Sequence, residues 1–269
     1  MRKRCELRQK RCERLHTICK IFQDFYLTQK TFTSGAHNLT RAPLTLTVNE
    51  NFNIDRVQPF QPAQGEPVDW LGNWHPLAEQ LGSTNGLVAL SEISVSMQVP
   101  LVHDLASLKY FLSSYQKQLL LPIELPAIQR AFDHTCRHEV RELAEFDRQL
   151  ATEPALRPFA EASKRIGQTE LLKLRPLRDE RIVRRYLEHV ERSEANAWHT
   201  LVYGMTLALY SIPLRQGLLG YGYQTTRGFI YSASKGLQLS EKDCRALLNE
   251  LCDNLPAAVE GLIAQRVAA

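Results

Sequence analysis

No run of this 269-residue chain reaches the roughly 18 apolar residues needed to span a bilayer. Its longest apolar tract, 201–209, is interrupted by Tyr203, Gly204 and Thr206. The expectation is therefore a protein without a membrane span. Cysteine is sparse, six in all, and no Cys-x-x-Cys pair occurs. Cys5, Cys12 and Cys19 fall near the start, while Cys136, Cys244 and Cys252 are scattered through helical patterns. That usage fits reduced thiols and cytoplasmic residence better than a disulfide framework. No segment alternates apolar and polar residues between turn signals, as a half-buried strand does. A di-iron bundle needs paired Glu-x-x-His motifs, and the chain carries no such pair. Neither a Gly-x-Ser-x-Gly elbow nor a Gly-Lys-Ser/Thr phosphate cradle is found.

The formal charge of +4 has a local origin. Residues 1–20 hold eight Lys and Arg against Glu6 and Glu13, so the remaining chain is slightly acidic. The body carries no nucleic-acid footprint. The leader lacks an uninterrupted apolar h-region and a small-residue cleavage site, which argues against a secretory signal. It reads as a disordered extension or as a start assigned too early. Residues 28–67 are rich in Thr, Asn, Gln and Pro, with Pro59, Pro62, Gly65 and Pro67 close together, and read as linker. The expected division is a leader and linker over 1–67 and an all-helical domain over 68–269, with order beginning near Trp70.

Helical periodicity then dominates. Asp104 is placed to cap a helix bearing Leu105, Leu108, Leu112, Tyr115 and Leu119, which Pro122 and Pro126 should break. A long helix is expected to carry Ile128, Ala131, Phe132, Leu143, Phe146 and Leu150, ending before Pro154 and Pro158. Phe159, Ala162, Ile166 and Leu171 mark another. Asp179 is expected to cap a helix with Ile182, Val183, Tyr186, Leu187 and Val190, and Asn196 to begin one with Trp198, Leu201, Val202, Met205 and Leu209. Pro213 opens a segment to about Gly236, and Ser240 with Asp243 approximates a capping box. The pattern predicts an all-α fold, a single helical bundle of about eight to ten helices.

Two stretches suggest chemistry. His134, His138 and Glu142 would share one face of a continuous helix at i, i+4, i+8, and could hold a transition metal weakly. Cys136 would point about 200° away from His134. A solvated polar face among Arg130, Arg137 and Arg141 is the plainer reading. Gly217, Gly220, Gly222 and Gly228 punctuate a helical stretch at about 1 kcal/mol each relative to Ala. Close approach of neighbouring helices would offset that cost. Tyr210, Tyr221, Tyr223 and Tyr231 accompany them, which suits either a protein interface or a core helix with tyrosines at its rim. From the residues alone the chain is a helical binding protein.

The segment Tyr203-Gly-Met-Thr-Leu-Ala-Leu-Tyr-Ser-Ile-Pro-Leu, the run Gly220-Tyr-Gly-Tyr223-Gln-Thr-Thr-Arg227, and Ser234-Lys-Gly-Leu-Gln-Leu-Ser240 resemble the C-terminal half of the UreF family. His199 to Gly204 is similar to that family's H-x-P-x-[FY]-G turn, with Leu201 or Thr200 where proline is common. Ala162 to Gly167 looks like its A-x-x-x-L-G helix, and Gly82 to Leu87 like its H-S-x-G-L-E loop, with Val88 replacing the glutamate. The usual P-x-G-G-F-x-H-S is altered to Pro76-Leu-Ala-Glu-Gln-Leu-Gly-Ser83. The longer C-terminal tail of many members is expected to be nearly absent. The resemblance implies a non-catalytic urease accessory scaffold that dimerises and binds UreD (UreH). Such a scaffold recruits the GTPase UreG for delivery of nickel to apo-urease. It implies no stably bound cofactor, nickel being cargo. Tyr221, Tyr223 and Arg215 become the candidate partner anchors, with Thr226, His199, Gly204, Lys235 and Gly86 as further contact residues. His134 and His138 are the candidates for transient nickel contact. The alternatives are a thiaminase-like helical enzyme, for which Cys136 is the available body thiol, and an unrelated helical adaptor.

Overall fold

The computed structural model describes residues 86–174 and 180–268. The expected domain boundary at 67/68, the onset near Trp70 and the Asp179 cap lie outside them. Among the described residues there are ten α-helices and no strand. We label them α1 (Gly86–Ser96), α2 (Leu105–Tyr115), α3 (Leu125–Arg137), α4 (Val140–Thr152), α5 (Ala160–Lys173), α6 (Arg181–Glu191), α7 (His199–Leu209), α8 (Leu214–Leu237), α9 (Glu241–Cys252) and α10 (Leu255–Ala268). The all-helical expectation holds. No described helix is long and apolar enough to cross a membrane.

The helix starts follow their caps where a side chain can reach. Asp104 accepts from the Ser107 amide at 2.7 Å, and Ser240 from the Asp243 amide at 3.1 Å, each closing a reciprocal box. Elsewhere three expectations fail for identifiable reasons. Pro122 and Pro126 do not end a helix. Residues Gln116–Glu124 widen to a π-helical segment that joins α2 to α3, with the Leu125 amide bonding Leu120 O. The wider turn takes up the missing amide and ring bulk of Pro122. The long helix expected across 128–150 instead divides at His138, which adopts φ 59° and closes α3 by a bond from the Glu139 amide to His134 O at 2.9 Å. Asn196 does not begin a helix; its amide is taken by Asp147, and α7 starts three residues later.

Helix α7 is the axle of the fold. Every residue from His199 to Leu207 is buried, so it is covered on all sides, as expected of a helix that is mostly apolar around its circumference. It packs against α3 and α5. Two glycines set those distances. A Cβ on Gly204 would overlap Ile128 O of α3 and stand 2.9 Å from Ala131 Cβ. One on Gly167 of α5 would overlap Ala197 O and stand 2.8 Å from the His199 amide. In α8, Gly217 faces the Leu207 side chain and Gly222 the Leu255 side chain of α10. Close helix approach, as the glycine-rich pattern implies, accounts for these positions. Phe111 and Tyr115 of α2 join α8 through ring pairs with Phe229 at 5.8 and 4.9 Å.

Candidate functional site

Five side chains, one each from α2, the π-helical segment, α5, α7 and α8, meet in the interior. Ser163 Oγ of α5 lies 2.7 Å from His199 Nδ1 at the start of α7, and also accepts from the His199 amide at 3.3 Å. His199 Nε2 lies 2.7 Å from the Tyr221 hydroxyl of α8. Tyr221 donates to Glu124 Oε2 at 3.2 Å, and Tyr115 of α2 donates to Glu124 Oε1 at 2.8 Å. The π-helical segment carries Glu124 into this position. Both Glu124 and His199 are 3% exposed. Burial, then the nearby Glu124 charge, pushes the Tyr115 and Tyr221 hydroxyls well above their ordinary range, so both remain donors. The adjoining cavity, lined by Glu124, Ser163, His199, Thr200 and apolar neighbours, encloses about 10 Å³. That is room for one water at most, not for a substrate.

A second buried carboxylate holds the loop that delivers His199. Asp147 of α4 is fully buried and accepts from the Tyr186 hydroxyl (2.6 Å), the Asn196 amide (2.7 Å), the Asn196 side chain (2.9 Å) and the Ala197 amide (2.9 Å). Ala197 takes φ 57°, a left-handed turn that brings both amides onto one anion. Nothing in the local sequence around Asp147 distinguishes it from a surface acid on a polar helix face.

Helix α8 faces two ways. Tyr221 and Tyr223 lie about 200° apart around it. The outward ridge at four-residue spacing is Arg215, Leu219, Tyr223, Arg227, Tyr231 and Lys235. Arg215, Arg227 and Lys235 are exposed, and the other three half-buried. Arg215 pairs with Glu260 of α10, the Arg227 guanidinium stands 5.5 Å over the Tyr231 ring, and Tyr231 donates to Glu241 at 2.7 Å. Arg and Tyr at such density are the residues that anchor protein interfaces.

The expected contact residues therefore separate. Arg215, Tyr223 and Lys235 stand on the ridge, and Gly86 is the first residue of α1. Tyr221, His199, Thr226 and Gly204 are interior, and none presents a surface to a partner in this conformation. Tyr221 and His199 are tied into the polar chain, Thr226 bonds Gly222 O at 2.9 Å, and Gly204 seats α7 on α3. The metal-face expectation also needs correcting. Because the chain turns at His138, His134, His138 and Glu142 do not share one helix face. His134 Nδ1 bonds Glu139 instead, at 2.8 Å, and His138 is exposed. Among the described residues no group of three His, Cys, Asp or Glu is arranged to hold a metal. Cys136 is exposed, but partial burial and Asp133 raise its thiol above the ordinary value, opposite to an activated nucleophile.

The UreF family model matches residues 102–252, a span that takes in the polar chain, the Asp147 pin and all of α8. The chain belongs to the UreF family. Members of that family are urease accessory proteins, and the coarse role of this UreF-family chain follows. No curated protein matches it. The family match starts within the loop before α2 and stops at the last residue of α9, so α1 and α10 lie outside it.

Proposed function

We propose that this chain is a non-catalytic scaffold in urease maturation. It acts in the cytoplasm as a homodimer, binds the UreD (UreH) accessory protein and recruits the GTPase UreG, so that nickel reaches apo-urease. The match to the UreF family over 102–252 carries this reading. Two features of the fold support it. The interior polar groups are engaged with one another around a cavity too small for a substrate. On the outer ridge of α8, Arg215, Arg227 and Lys235 are exposed and Tyr223 and Tyr231 half-buried. Nickel is cargo here, and nucleotide chemistry belongs to the GTPase partner.

Tyr223 is the central anchor of the ridge, with Arg215, Arg227 and Lys235 around it. A half-buried tyrosine flanked by exposed cations has the composition of an interface hot spot. Tyr223→Asp is expected to abolish co-purification with the UreD-type partner, while leaving the helical content of the chain unchanged. Wild-type recovery of the partner by that variant would sink the ridge as the docking surface. Co-expression with urease and its other accessory proteins, with and without this chain, tests the wider role. Urease from cells lacking the chain should contain little nickel.

A further inference from the structure

Among the described residues, three buried side-chain atoms lack a hydrogen bond: Asp133 Oδ1, His134 Nε2 and Trp198 Nε1. Two of them have relief at hand. Asp133 forms an ion pair with the Arg266 guanidinium, and the His134 side chain is 13% exposed at the end of α3. Trp198 is 2% exposed, and an indole nitrogen can only donate. A buried donor without an acceptor is costly, and buried tryptophans ordinarily find one. The same residue lines the small cavity beside the polar chain, together with Ser163, Thr200, Glu124 and His199. We propose that this cavity is a binding site for one ordered water, which accepts from Trp198 Nε1 and bridges the loop before α7 to the hydroxyls of Ser163 and Thr200.

Size and chemistry together select the ligand. The cavity encloses about 10 Å³, the lower end of the roughly 10–15 Å³ that one water requires. No substrate or polyatomic ion enters a space of that volume. A cation would face the positive end of the indole N–H dipole. An anion would meet the Glu124 charge, the same charge that raises the Tyr115 and Tyr221 hydroxyls. What fits is a neutral molecule of one heavy atom that accepts a hydrogen bond from the indole and donates others to the wall.

The wall has bonding capacity to spare. Ser163 Oγ accepts from the His199 amide at 3.3 Å and lies 2.7 Å from His199 Nδ1. If Ser163 donates to Nδ1, its oxygen keeps one lone pair; if it accepts from Nδ1–H, its own proton is left to give. Either tautomer of His199 therefore leaves one bond for the water, and the Thr200 hydroxyl lines the same space. The site gives the loop before α7 a second attachment. Asp147 holds the Asn196 and Ala197 amides, and the water holds the next residue, Trp198. Lys164 of α5 stands 6.0 Å from the same indole ring. His199 is thus set by two independent polar contacts on the residues that precede it, whichever partners the scaffold binds.

The test uses the full chain. Its three tryptophans, Trp70, Trp74 and Trp198, give three indole signals in a ¹⁵N-labelled sample, and Trp198→Phe identifies the one concerned. That indole proton is expected to exchange slowly with solvent and still give a cross-peak to water, with the sign of a molecule bound for longer than the protein takes to tumble. Absence of the cross-peak overturns the proposal. A crystal structure with ordered solvent reads the site directly, free of relay through hydroxyl protons. One water oxygen is expected about 2.7–3.2 Å from Trp198 Nε1. A dry cavity, or a protein acceptor on Nε1, overturns the proposal. In Trp198→Phe the water should be lost, and its retention at the same place would overturn the indole as its anchor. Should that variant fail to fold, the wild-type crystal structure decides the matter alone.

Discussion

His199 and the pair His134/His138 sit in opposite surroundings. His199 lies at the start of a helix buried from its first residue to Leu207, with Ser163 at one ring nitrogen and Tyr221 at the other, both at 2.7 Å. His134 and His138 lie at a helix end, where the backbone reverses through a left-handed residue and one of the two rings is exposed. The sequence makes the second pair look more like chemistry, since it clusters with Glu139, Glu142 and Cys136. The structure gives organised geometry to the first. Clustering along a chain makes a site only if the backbone stays regular between the residues. A lone histidine in an apolar stretch must find partners from distant segments, because a buried imidazole without them is costly.

The comparison is broken most forcibly at the support beneath His199. Asp147→Ala removes the acceptor for four donors at once: the Tyr186 hydroxyl, the Asn196 amide and side chain, and the Ala197 amide. Each buried donor left without an acceptor costs about 1–3 kcal/mol before relaxation. The expected loss is about 4 kcal/mol, enough to leave many domains largely unfolded, and equilibrium denaturation measures it. A loss below about 1 kcal/mol would mean that the loop holds its place by packing alone.

Gly167→Ala acts at the same junction through bulk rather than charge. The added Cβ would overlap a backbone carbonyl, Ala197 O, which cannot swing aside as a flexible side chain can. Overpacking against fixed backbone costs about 3 kcal/mol, so a Tm lowered by several degrees is expected. Gly261 is the control. A Cβ there meets nothing within 4 Å, and Gly261→Ala in the exposed part of α10 should stabilise slightly through helix propensity. Equal effects at the two glycines would refute the account of α5 seated on the loop before α7.

Much of the architecture was legible in the sequence, because it rests on local signals. The capping boxes at Asp104 and Ser240, the i, i+3, i+7 face through Leu108, Leu112 and Tyr115, and the start of α8 after Pro213 all depend on residues within one or two turns. What was not legible is non-local. The π-helical passage through Pro122 depends on Glu124 being held by Tyr115 and Tyr221, which no local pattern encodes. The turn at His138 places a non-glycine residue at positive φ, where sequence gives little warning. On α8 the resemblance implies both Tyr221 and Tyr223 as partner anchors, yet two residues of helix turn one side chain inward and the other outward. Gly167 and Gly204 were visible as part of a resemblance, but their reason, contact with Ala197 O and Ile128 O, needs the packed structure.

The smallest effect is expected where the sequence looked most chemical. His134→Ala with His138→Ala removes one hydrogen bond, to Glu139, which is itself about one-third exposed, and one exposed ring. The lost bond is worth about 1 kcal/mol, part of which water at the exposed end returns. Helix α3 keeps its C-terminal closure through the Glu139 amide and His134 O, which are backbone groups untouched by either substitution. Unfolding free energy should therefore fall by no more than about 1 kcal/mol. Nickel binding by the isolated chain should weaken slightly, since two imidazoles that do not converge on one point contribute little more than two separate ligands. Urease co-expressed with the double variant should retain its nickel content. Loss of nickel from urease with the scaffold still folded and still bound to its partners would reverse the comparison, making the exposed turn the functional histidine site and leaving His199 a structural one.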